Sequence, residues 1–119
     1  MAAGIAQLRT LQTPGIYATL EQKTQRLADG IAELAKKSKV PCHVAHVTGM
    51  LCVFFTKDTV TDFAQAQKCD TAKFASVWQG LQKAGVYWPP SQFESAFTSV
   101  VHSKHDIDKT LSAWEAALS

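Results

Sequence analysis

Apolar residues recur at helical spacing from the first position of the chain, with Ile5, Leu8 and Leu11 each three residues apart. No capping residue precedes them. The opening Met1-Ala2-Ala3-Gly4 therefore reads as the interior of a helix, a start expected of a truncated domain. Thr13-Pro14 interrupts the pattern. Proline disfavours a helical residue before it, so Thr13 is expected to cap a second helix with Pro14 as its first residue. Over residues 14 to about 39, Ile16, Leu20, Leu27, Ile31 and Leu34 fall on one face, which predicts a long amphipathic helix ended by Val40-Pro41.

The period then shortens. Residues 43–47 and 50–56 are mostly β-branched, aromatic or small and predict a hairpin turning near Gly49. The second strand is apolar at nearly every position, which predicts cover on both of its faces. Residues 57–61 read as a loop and 61–67 as a short helix. Asp70 is placed to cap a firmer helix in which Phe74, Val77, Trp78 and Leu81 share one face, closed by Gly85. Residues 86–88 predict a short strand that must break at Pro89-Pro90, and 96–102 predict another. Ser103, followed three residues later by Asp106, resembles a capping box opening a last helix with Ile107, Leu111, Trp114 and Leu118 on its buried side.

The resulting order, α-α-β-β-α-β-β-α, contains no repeat or linker. It predicts an α+β two-layer sandwich, a small, mainly antiparallel sheet with helices packed on it. One domain over 1–119 is expected, with a helical segment over 1–39 and the α+β portion over 40–119.

Composition narrows the function more than the fold. Of 119 residues, 46% are apolar and 18% charged, an ordinary balance for a globular chain and too little length for most cofactor-dependent enzymes. The formal net charge is only +2, and the one basic cluster, Lys36, Lys37 and Lys39, falls where a helix should end and complements its dipole. Nucleic acid is not expected as a partner. No apolar run is long enough to span a membrane and no signal-peptide pattern opens the chain, so no membrane association is expected. Cys42, Cys52 and Cys69 are odd in number and form no close pair, which suits a reducing cytoplasm.

Candidate chemistry is sparse. Two His-x-x-His pairs, His43/His46 and His102/His105, suggest zinc. Residues three apart on a strand point to opposite faces, however, and the second pair straddles a strand end and a helix start. No metal is expected. Cys52 lies in an apolar strand and Cys69 precedes a helix without a companion base, so neither completes a nucleophilic set. The glycines are scattered singly and make no phosphate-binding loop. What stands out is Tyr87-Trp88-Pro89-Pro90-Ser91-Gln92-Phe93-Glu94, a proline-stiffened loop carrying aromatics, an amide and a carboxylate between two strands. Loops held on a scaffold are where binding residues concentrate.

Gly85-Val86-Tyr87, then Pro90-Ser91-Gln92-Phe93-Glu94, then Phe97-Thr98-Ser99 is similar to the C-terminal signature of the glutamate-1-semialdehyde aminomutase family. The hairpin Thr48-Gly49-Met50 through Phe54-Phe55-Thr56, together with Asp70, Phe74 and the stretch 102–110 with Asp106-Ile107, extends the resemblance over essentially the whole chain. The opening Met1-Ala2-Ala3-Gly4 resembles the helix that follows the family's cofactor-contacting loop.

The resemblance implies the small C-terminal domain of a fold-type I enzyme, whose large domain holds pyridoxal phosphate through a lysine. That enzyme isomerises glutamate-1-semialdehyde to 5-aminolevulinate for tetrapyrrole synthesis. The chain falls entirely after the family's lysine, pyridinium-pairing aspartate and phosphate loop, so the resemblance implies no cofactor-binding residue here and no catalysis by this chain alone. It places Glu94 beside the substrate as an active-site residue, with Ser91 and Gln92 shaping the loop. Related aminotransferases carry a carboxylate-binding arginine in this region, and here there is none. The chain departs from the family pattern at Trp88-Pro89, Ser95-Ala96 and Leu51-Cys52-Val53, changes expected to crowd the loop beside Glu94. A domain parted from its neighbour should expose apolar surface. Residues 1–11 and the face of the long helix are therefore expected to pair with another copy, or a separately encoded pyridoxal-phosphate domain to cover them.

Overall fold

The long helical stripe finds its partners inside the chain. In the computed structural model, which describes residues 1–119, helix α1 (Ala2–Leu11) leads into α2 (Ile16–Lys37) and then the hairpin β1 (His43–Val47) and β2 (Met50–Phe54). A single-turn helix α3 (Phe63–Ala66), the longer α4 (Thr71–Lys83), the two-residue strand β3 (Ala96–Phe97) and α5 (Lys104–Leu118) complete it. The sheet is antiparallel throughout, in the order β1-β2-β3.

Strand register assigns the two faces. Val47 sits opposite Met50, Ala45 opposite Cys52 and His43 opposite Phe54, while Phe97 sits opposite Met50. Alternation therefore turns Leu51, Val53 and Ala96 toward the helices and Met50, Cys52, Phe54 and Phe97 the other way. Leu27, Ile31, Phe74, Val77, Leu81 and Trp114 meet Leu51 and Val53 in one core. Full burial of such side chains stabilises the fold by roughly 1.5–3 kcal/mol each. The α+β sandwich read from the sequence is the observed architecture.

Three local expectations are corrected. Thr13 does not cap α2; Gly15, at φ 85°, occupies the cap position and Pro14 stays outside the helix. A left-handed residue is needed to redirect the chain between the two helices, and glycine adopts it without steric cost. Residues 86–88 form no strand. Trp88 turns inward, stacks edge-on against Trp114 at 5.1 Å, and gives its carbonyl to the Trp78 indole at 2.8 Å. Of residues 96–102 only Ala96 and Phe97 pair with β2. Beyond them the carbonyls of Val100 and His102 accept from the Lys23 ammonium, which bends the segment back onto α2. The element order becomes α-α-β-β-α-α-β-α.

Cover on both faces of β2 holds at one end only. Phe54 is buried on the outer face against Ala66 and Cys69, whereas Met50 is exposed and Cys52 half-buried. The apolar face of α2 lies in the core through Leu27, Ala28, Ile31 and Ala35, which leaves α1 as the helix whose apolar stripe is open.

Candidate functional site

Each end of the loop carrying Ser91, Gln92 and Glu94 is tied to the scaffold by a side chain. Trp78 on α4 holds the carbonyl of Trp88 just before the two prolines. Gln92 is 3% exposed and donates from Nε2 to the Ala66 carbonyl at 3.2 Å, while its Oε1 has no protein partner. Ser91 Oγ accepts from the Phe93 amide at 3.2 Å, and its carbonyl accepts from the Glu94 amide at 3.1 Å. On the far side Ser95 Oγ lies 3.2 Å from Cys52 Sγ, which fastens the loop to the middle of β2.

Glu94 is exposed at the tip of this arrangement. The two ion pairs of the chain, Arg26–Asp108 and Lys37–Glu115, lie elsewhere, so no cation within the chain balances its carboxylate. Beside it the outer sheet face opens into a groove of about 380 Å³ lined by Ala45, Cys52, Phe54, Val60, Phe63 and Phe93, with Asp62 at its edge. The rings of Phe63 and Phe93 stand 5.7 Å apart and form its wall. The arrangement offers an apolar slot with the Asp62 carboxylate at its edge and the Glu94 carboxylate beside it.

Sequence reasoning singled out Ser91, Gln92 and Glu94, and the structure brings them into one tight turn. It did not find Phe63 or Asp62. A helix of one turn has no periodicity to read, and only Asp62 as a capping residue, accepting from the Gln65 amide at 2.8 Å, was there to signal it. Two departures from the family pattern, Cys52 and Ser95, touch each other under the loop. A third, Trp88, is buried 5.1 Å from Trp114, so it packs the core rather than crowding Glu94.

The histidines are dispersed. Strand register puts His43 on the outer face and His46 on the helix-facing one, and His102 Nδ1 accepts from the Ser99 amide at 3.0 Å. No group of three or more His, Cys, Asp or Glu side chains is placed to hold a metal. Burial pushes the Cys42 thiol up to about 12, and Cys69 is raised by burial and by the nearby Asp58 carboxylate. No helix is long and apolar enough to cross a membrane.

No protein-family model matches the chain. Among curated proteins it is 45% identical over 117 residues to the glutamate-1-semialdehyde 2,1-aminomutase of Desulforudis audaxviator, with 98% of this chain and 27% of the relative covered. The chain resembles the C-terminal domain of the glutamate-1-semialdehyde 2,1-aminomutases. The aminomutase of Thermus thermophilus is also 45% identical, over 119 residues, covering 99% of this chain and 28% of that relative. The chain thus spans about 27% of the length of the aminomutases it matches. Solved structures agree on the fold. An omega-transaminase from Sphaerobacter thermophilus superposes with a TM-score of 0.81 at 22% identity, over 98% of this chain and 26% of that one. The Sphingopyxis sp. MTA144 FumI protein, in its PLP internal aldimine form, gives 0.77 at 22% identity, over 98% and 25%.

Pyridoxal phosphate, the cofactor of the aminomutase family, does not fit the residues of this groove. The cofactor calls for a lysine amine, a carboxylate for the ring nitrogen and a phosphate cradle in one cavity. The groove holds no lysine, its one carboxylate caps α3, and Lys23 is engaged with two carbonyls on another face.

Proposed function

We propose that this chain acts as the small domain of a glutamate-1-semialdehyde aminomutase. Its work is to close over a substrate held on a cofactor-bearing large domain and to present Glu94 to it. The large domain, carrying pyridoxal phosphate, belongs to the remainder of a longer polypeptide or to a separately encoded partner, and the reaction, glutamate-1-semialdehyde to 5-aminolevulinate in cytoplasmic tetrapyrrole synthesis, requires both parts. The observation that carries this reading is the match across nearly the whole chain to about 27% of each aminomutase, at 41% to 45% identity. The geometry supports it. A carboxylate unpaired within its own domain, on a loop anchored by Gln92 and Ser95, is suited to meet an amino group brought by another domain. Ser91 and Gln92 shape that loop rather than react.

A chimera tests it. This chain is substituted for the matching 28% of the Thermus thermophilus aminomutase, and 5-aminolevulinate formation is followed. The reading expects activity in the chimera and a loss of at least tenfold in kcat for Glu94→Gln, with the chain alone inactive. An active chimera indifferent to Glu94→Gln refutes the role of Glu94. A folded, cofactor-loaded and inactive chimera refutes the reading itself.

A further inference from the structure

Residues 99–102 link β3 to α5 in a turn that one pair of residues closes twice. The His102 amide donates to the Ser99 carbonyl at 3.1 Å, and the Ser99 amide donates to Nδ1 of the His102 ring at 3.0 Å. A backbone N–H can only donate, so Nδ1 must offer its lone pair and the ring must carry its proton on Nε2. The turn as it stands therefore requires a neutral imidazole. A proton added at Nδ1 sets one N–H against another and breaks the second closure.

Three elements bring titratable groups to this ring. From α2 the Lys23 ammonium holds the carbonyls of Val100 and of His102 itself, the latter at 2.6 Å, and so fixes a positive charge against the turn. From α5 comes Asp106, whose carboxyl is held down first by Ser103 and further by the nearby His102 and His105. Both capping bonds from Ser103 end on Asp106 Oδ2, at 2.6 and 2.8 Å, which leaves Oδ1 for another donor. The stretch 86–88 adds the Tyr87 phenol, and β3 adds no charge. His102 and Asp106 share one cavity of about 120 Å³, bordered also by Thr98, Thr110 and Tyr87, so the half-buried ring has room to turn.

The structure assigns His102 the part of a pH-operated latch between β3 and α5: neutral, the ring is seated on the Ser99 amide; charged, it leaves that amide for the Asp106 carboxylate. Lys23 repels a charged ring from the turn while Asp106 attracts it, so both fields act in the same direction. Travel is limited at either end. Thr98 stays fixed through its amide on the Gly49 carbonyl at 2.9 Å and its hydroxyl 2.7 Å from that of Thr24, and the Ser103–Asp106 box keeps α5 capped. Residues 99–102 open and close while the sheet and the helix keep their places. The latch belongs to the backbone of this domain, and it stands whether or not Glu94 meets a substrate.

Nuclear magnetic resonance tests it, through imidazole nitrogen shifts and amide hydrogen exchange followed from about pH 8 to about pH 5, the span in which an imidazole ordinarily changes charge. At the upper end the expected result is an Nε2–H tautomer for His102 and a protected Ser99 amide. Toward the lower end the Ser99 protection factor is expected to fall at least tenfold, while that of Thr98 holds. His102→Gln should abolish the pH step. Asp106→Asn, which keeps a capping oxygen without the charge, should move its midpoint to lower pH. Near-ultraviolet circular dichroism of the Trp88–Trp114 pair verifies the fold of each variant, and tautomer and exchange in the wild-type chain decide the matter where a variant fails that check. An Nδ1–H tautomer at the upper end, Ser99 protection indifferent to pH, a step that survives in His102→Gln, or a midpoint unmoved in Asp106→Asn overturns the proposal.

Discussion

The hydroxyls of Thr24 and Thr98 lie 2.7 Å apart between α2 and the residue that follows β3. Thr24, with no solvent exposure, also accepts from the Gly49 amide at 3.0 Å and contacts the Leu20 carbonyl at 2.8 Å. Thr98 closes the knot by donating its amide to the Gly49 carbonyl at 2.9 Å. One buried side chain thus joins the helix, the hairpin turn and the third strand. Thr24→Val keeps the shape and leaves the Gly49 amide without its partner, which costs about 1–3 kcal/mol in urea unfolding. Because Thr98 loses the same contact, the double variant Thr24→Val/Thr98→Val is expected to lose less than the sum of the single losses.

Helices α4 and α5 approach closely at Gly80. A Cβ there would stand 2.8 Å from the Ala117 methyl and 3.2 Å from its Cα, which is backbone and has no rotamer to escape into. At Gly30 the atoms met all belong to the half-buried Leu111 side chain, its methyls at 2.6 and 2.8 Å and its Cγ at 3.3 Å, with no backbone among them. Overpacking costs roughly 1–3 kcal/mol, against a helix-propensity gain of up to about 1 kcal/mol for replacing glycine. Gly80→Ala should therefore lower the thermal midpoint, and Gly30→Ala should lower it less or not at all.

Acid should loosen the start of α5. Asp106 is held below the usual carboxylate range, first by the Ser103 hydroxyl at 2.8 Å and then by the Ser103 amide at 2.6 Å. A carboxyl whose folded value is depressed adds stability that is fully present above its unfolded value of about 3.9. That stability is lost as pH falls through the folded value. Denaturation curves at pH 6 and at successively lower pH should show this slope in the wild type, reduced in Asp106→Asn. An unchanged slope would remove Asp106 as its source.

Thiol labelling should separate the cysteines. With Cys42 pushed up to about 12 by burial, almost no thiolate exists at pH 8, so a maleimide should modify it slowly in the folded chain. The rate should rise sharply past the denaturation midpoint. Fast labelling of the half-buried Cys42 under native conditions, read by mass spectrometry, would contradict its raised thiol.

How far the chain could be read in advance depended on how local each device is. Asp70 and the Ser103–Asp106 box are set by residues three apart, and both cap as expected. The stripes of α2, α4 and α5 repeat often enough to declare a buried face. Trp88 was misplaced because its strand-like flanks say nothing of the Trp114 ring waiting across the core. Residues 98–102 escaped for the same reason, since Lys23, far away in sequence, takes their carbonyls. In the candidate site the loop sequence pointed to Ser91, Gln92 and Glu94, while the groove depends on Phe63 meeting Phe93 across thirty residues.

With only two paired residues in β3, the stretch bearing Glu94 is moored by individual side chains instead of a hydrogen-bond ladder. A ladder transmits any insertion as a slip of register, turning every later residue to the wrong face. A moored stretch does not. Lengthening or re-spelling the run between Trp88 and Ser95 leaves the alignment of β1 on β2 intact. The run can therefore change in length and spelling as an exchangeable insert on a frame that keeps its own alignment.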